Sequence, residues 1–76
     1  MNNERRKKLS AIVRSVDGVL ADLNKVFNEE QDAYDNLPEP LQCSDRGTDI
    51  SLALDSLGMA VDSLQNAHGH LLDASM

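Results

Sequence analysis

Between positions 34 and 47 stand the residues whose types best suit binding chemistry: Tyr34, Asn36, Gln42, Ser44, Arg46 and Gly47. An arginine is a permanent, forked cation whose N–H groups match the oxygens of a phosphate or carboxylate. Ser44 fits the N-cap of a following helix, and a helix start already favours negative charge through its free amides. Tyr34 offers a stacking face, and Asn36 and Gln42 offer amide groups that match base edges. Gly47 costs about 1 kcal/mol relative to alanine inside a helix, so the missing side chain implies close approach by an opposite helix or by a ligand. Arg46 has two readings on sequence alone: a partly buried pair with Glu30, or the anchor for a small anionic ligand such as a nucleotide.

A second group is the basic run Arg5, Arg6, Lys7, Lys8. Positive charge in a first helical turn opposes the helix dipole, so something must offset it. The candidates are Asp73 and the terminal carboxylate at the end of the second helix, or an external phosphate or acidic protein. The net charge of −6 argues against general nucleic-acid affinity, which needs an excess of Lys and Arg, and two aromatics, Phe27 and Tyr34, leave little for base stacking. The acids read as a solvated face, with mimicry of a nucleic-acid backbone as the sharper alternative.

Catalysis and metal binding find no support in the sequence. The single Cys43 excludes an internal disulfide and fits a reducing compartment. His68 and His70 point to different faces of one helix with no zinc-ligand partner, and no nucleophile elbow or phosphate loop is present. The expectation is a protein that is not an enzyme and carries no cofactor.

These residues must be positioned by helices, because the apolar pattern is heptad throughout. With Leu9 as position a, the first half places Leu9, Val16 and Leu23 at a, Ile12, Val19, Val26 and Ala33 at d, and Val13, Leu20, Phe27 and Tyr34 at e. The second half has Ile50, Leu57, Leu64 and Leu71 at a, Ala53, Ala60, Ala67 and Ala74 at d, and Leu54, Val61 and His68 at e. An a, d, e stripe is the pattern of a bundle helix, and the alanine ladder predicts close approach of a neighbour. Extended backwards, the second register puts Arg46 at d, facing the core.

The expected domain is one all-α antiparallel helical hairpin, with helix 1 over about 4–35, a connector over about 36–43 and helix 2 over about 44–74. At 76 residues a lone hairpin can bury too little surface, so it is expected to self-associate into a four-helix bundle or higher oligomer, with Leu52, Met59 and Leu72 as the additional apolar strip. The longest apolar runs are two or three residues, so neither a membrane span nor a signal peptide is expected.

The stretch from Glu29 to Gly47, with its Asp35-Asn36-Leu37-Pro38-Glu39, Leu41-Gln42 and Ser44-Asp45-Arg46-Gly47 segments, and the opening Asn-Asn-Glu-Arg-Arg-Lys-Lys resemble a group of very small phage and prophage proteins. In that group a basic start leads into a helix, a connector of the form Asp-Asn-(Met/Leu)-Pro-Glu follows, and an alanine-rich second helix closes the chain. The resemblance spans nearly the whole chain, which departs from it at Pro40 and in a less acidic second helix. It implies a cytoplasmic setting in an infected or lysogenic bacterium; the group has no assigned activity, but small phage proteins of this kind often counter host defence, so a counter-defence role is the expectation. The chain is also similar in build to helical viral sponges of nucleotide immune signals. The readings carried forward are sequestration of a small anionic ligand at the turn, inhibition of a host defence protein through an acidic or apolar face, and a small RNA- or DNA-binding regulator using Arg5 to Lys8.

Overall fold

A computed structural model describes residues 1–76, and all of its regular structure is helical: α1 (Asn3–Asp35), α2 (Glu39–Gln42) and α3 (Asp45–Ala74). α1 starts where Asn2 accepts the Arg5 amide on its side chain at 2.8 Å, and it ends at Asn36, whose N–H donates to the Asp32 carbonyl while the Leu37 N–H donates to that of Tyr34. Pro38 and Pro40 then set the next element. The connector expected between 36 and 43 contains a turn of helix, α2, because proline at the second helical position has no amide to leave unsatisfied. Ser44 caps α3 by accepting the Gly47 amide at 3.5 Å.

α1 and α3 lie side by side and run in opposite directions, giving a rod of 58 × 15 × 13 Å between Cα atoms. Two cross-contacts fix the register: His68 Nε2 lies 2.7 Å from the Asp17 carboxylate, and Gly58 faces the ring of Phe27. A residue of α1 is therefore level with the α3 residue whose number complements it to about 85.

The seam is built from positions a and e. Val13 is buried, and Leu9, Val16, Leu20, Leu23 and Phe27 are half-buried against the half-buried Ile50, Leu54, Leu57, Val61, Leu64 and Leu71. Position d does not join them, which corrects the expectation of a d-position alanine seam. Ile12, Val19 and Val26 are 48%, 52% and 49% exposed, and Ala33, Ala60, Ala67 and Ala74 are exposed too; only Ala53 is half-covered. The cause is angular. When a and e share the contact, d points about 80° to one side, at 100° per residue. A stripe three positions wide exceeds what one neighbouring helix can cover.

Val13 and Gly47 are the only buried residues. No helix is long and apolar enough to cross a membrane.

Candidate functional site

The turn end of the rod holds the central candidates, and most of them are engaged in building the turn. The last carbonyls of a helix lack partners within it; that of Tyr34 accepts the Leu37 amide at 3.1 Å, and Gln42 adds to this, its side-chain Nε2 donating to the Tyr34 carbonyl at 3.3 Å and to the Leu37 carbonyl at 3.2 Å. Ser44 Oγ donates to the Leu41 carbonyl while accepting from Gly47. Both side chains had been read as ligand contacts; their groups are instead committed to holding α1, α2 and α3 together. Asn36 is the C-cap of α1 through its backbone, and its side chain is exposed.

Gly47 is explained by close approach of backbone. A Cβ placed there would stand 2.1 Å from the Gln42 carbonyl oxygen, 2.5 Å from its carbon and 2.6 Å from the Leu41 oxygen. The end of α2 therefore rests directly on the first turn of α3, and the glycine serves this crossing rather than a ligand.

Arg46 departs from its expected place. It is exposed and makes no ion pair, and Glu30, half-buried, is not its partner. Position d, which was expected to face the core, lies to the side of the seam, so Arg46 stands free at the start of α3. Of the six turn residues, the structure leaves Arg46, the half-buried Tyr34 and the Asn36 side chain available.

Beside this turn runs an open groove of about 530 Å³ lined by Phe27, Gln31, Tyr34, Leu54, Gly58 and Met59, with Ser51 and the acids Asp55 and Asp62 on its wall. Two carboxylates and no base make it unsuited to an anion. Asp55 and Asp62 stand seven residues apart and so share one heptad position, but that spacing carries no signal that they border an aromatic groove.

At the opposite end, Arg5, Arg6, Lys7 and Lys8 are exposed and none is ion-paired, with Asp73 and the terminal carboxylate included among the groups that do not contact them. Arg6 and Lys7 line a polar groove of about 640 Å³ with Asn3, Ser10 and Arg14. Arg14 escaped the sequence reading because it lies outside the run; the spacing 3, 7, 10, 14, which places residues on one helical face, was the available signal. Leu52 and Met59 are exposed at 60% and 71%, and Leu72 is exposed as well.

His68 is half-buried, with Nε2 shielded from solvent against Asp17 in a close contact that is not aligned as a hydrogen bond. It is thus a packed histidine on the seam. No group of three or more His, Cys, Asp or Glu side chains converges to hold a metal, and Cys43 is free and exposed.

No protein-family model matches the chain, and no curated protein or solved structure shows a match to it.

Proposed function

We propose that this chain is a non-catalytic, phage-type accessory protein: a helical hairpin that works in self-associated form and sequesters a small anionic ligand, such as a nucleotide immune signal, at the turn end. The observation that carries this reading is Arg46, an exposed guanidinium with no ion-pair partner beside the first-turn amides of α3. Tyr34 and Asn36 are the other turn residues left to meet a base, Tyr34 from the edge of the groove that Asp55 and Asp62 border. The resemblance of the Glu29–Gly47 stretch to small phage proteins supplies the counter-defence setting, and the cytoplasm of an infected bacterium is the place where such a ligand would be met. Self-association is supported by the near absence of a core within one copy.

Titration calorimetry with a panel of cyclic and linear nucleotides tests the reading. Binding is expected for at least one ligand, weakened at least tenfold by Arg46→Ala, since a charge-assisted contact is worth about 1.5–3 kcal/mol. Heats no larger than dilution for the whole panel would remove it.

A second reading rests on the basic groove. Unpaired Arg6, Lys7 and Arg14 on one face suit a polyanion, in the manner of a small RNA- or DNA-binding regulator. Host-protein inhibition through Leu52, Met59 and Leu72 is the third reading, resting on their exposure.

A further inference from the structure

The unclaimed feature of this rod is its d-position flank. Both helices place d on the same rotational side of their mutual contact, and because they run in opposite directions the two sets turn toward one flank of the pair. In the observed register Ile12 is level with Ala74, Val19 with Ala67, Val26 with Ala60 and Ala33 with Ala53. The result is a four-step apolar ladder with a large residue beside a small one at three of its steps. The opposite flank, at position b, carries Ser10, Asp17, Asn24 and Gln31 on α1 and Ser51, Gly58 and Gln65 on α3, with Leu72 its one large apolar side chain. The molecule is two-faced.

We infer that the d flank is a homodimer interface and that the two copies meet on it antiparallel, the turn of each lying over the termini of the other. This rests on the self-association in the function proposed above and assigns it a face and an orientation. That face differs from Leu52, Met59 and Leu72, which stand at positions c and b, away from the ladder.

Three observations select a second copy as the occupant. The ladder extends about 32 Å from Ile12 to Ala33 by the helical rise, and a second copy of this 58 Å rod is long enough to cover all of it. Only the d flank carries a continuous apolar ladder, and the groove on the other flank, though lined by Phe27, Leu54 and Met59, is walled by Asp55 and Asp62, so pairing two copies on the d flank closes the assembly and leaves the acid-walled side outside. Burial of the ladder supplies the core that one copy lacks, since Val13 alone is covered within it.

Charge selects the orientation. Residues 1–14 carry five bases and one acid, whereas residues 29–49 carry seven acids and one base, and the two groups occupy opposite ends of the rod. Parallel pairing stacks basic end on basic end and acidic turn on acidic turn. Antiparallel pairing sets each end against its opposite, and at a Debye length of about 8 Å this local juxtaposition decides the sign. It also evens the packing: Ile12 comes level with the partner's Ala33 and Val19 with the partner's Val26, whereas parallel pairing gathers the isoleucines at one end and alanines at the other. Arg5 and Arg46 hold the d positions beyond the two ends of the ladder and remain at its rim, so Arg46 stays open to a ligand.

The test uses the intact chain with a nitroxide on its only cysteine, Cys43, which is exposed at the turn. Sedimentation at 50 μM establishes the subunit number, with a dimer of the 8.3 kDa chain expected. Pulsed dipolar spectroscopy then reads the distance between the labels: about 50–60 Å is expected for antiparallel copies from the helical rise, against less than about 30 Å for parallel ones. Val19→Glu with Val26→Glu should raise the dimer dissociation constant at least 100-fold, while Leu52→Glu with Met59→Glu should leave it within threefold. A monomeric wild type, a short label distance, or a dimer insensitive to the valine pair overturns the inference. If the valine variant does not fold, the label distance in the wild-type sequence still decides. Nucleotide binding is read separately by calorimetry, so a dimer that binds no nucleotide refutes the ligand proposal alone.

Discussion

Replacing glycine by alanine at four helical positions separates propensity from packing within a single chain. At Gly18 and Gly69 an added Cβ meets nothing within 4 Å, and at Gly58 it meets only Phe27 Cε2 at 3.8 Å, an ordinary contact. Each of these substitutions should stabilise by about 0.5–1 kcal/mol, the propensity difference. Gly47→Ala gains the same term and loses more. Its Cβ would fall 2.1 Å from a backbone oxygen that cannot rotate away, so α2 must lift from α3 or the first turn of α3 must unwind. Overpacking costs about 1–3 kcal/mol. Unwinding also gives up the Ser44 cap, worth about 1 kcal/mol. The net expectation is a loss of about 1–3 kcal/mol, or a midpoint lowered by roughly 5–15 °C for a domain of this size. Thermal melts followed by circular dichroism, all at one protein concentration so that the proposed association contributes equally to each, measure the four shifts together. A Gly47→Ala midpoint at or above wild type would show that α2 does not rest on α3, and the account of the turn would fail with it.

Two further perturbations probe the ends of the rod. Gln42→Ala removes both side-chain bonds to the Tyr34 and Leu37 carbonyls and should cost about 1–2 kcal/mol in the same melts; a cost below about 0.3 kcal/mol would show that these carbonyls do not need Gln42. Lys7→Gln with Lys8→Gln removes unpaired positive charge from the N-terminal end of α1 and should stabilise by a few tenths of a kcal/mol at low salt, with the gain vanishing in 0.5 M salt; destabilisation would reveal an anionic partner for these lysines.

The two long helices were legible because heptad spacing persists over the whole chain and proline bounds the first of them. Which of the three striped positions face the neighbouring helix was not, since a, d and e can each be covered in a bundle and nothing in one sequence says by which copy. The misplacement of Arg46 follows directly: the heptad rule faces position d inward, and in the chain it lies beside the seam. Gln42 was misread for a different reason. Its amide is chemically fit for a base edge, but an ending helix leaves carbonyls unmet, and that unmet need lies closer in the chain than any ligand. Pro38-Glu39-Pro40 lies inside the expected connector, although proline near a helix start also announces the turn that forms α2. Gly47 was read correctly as a mark of close approach, and its partner proved to be the backbone of the preceding turn.

A subunit that closes off a single valine side chain has almost nothing to hold it in shape by itself. Where copies depend on one another for a shared interior, how many are folded follows from how many are present. For the dimer inferred above, dilution then acts as a denaturant: a cell making few copies would hold loose chains open to proteases, and rising synthesis would convert them together into durable pairs.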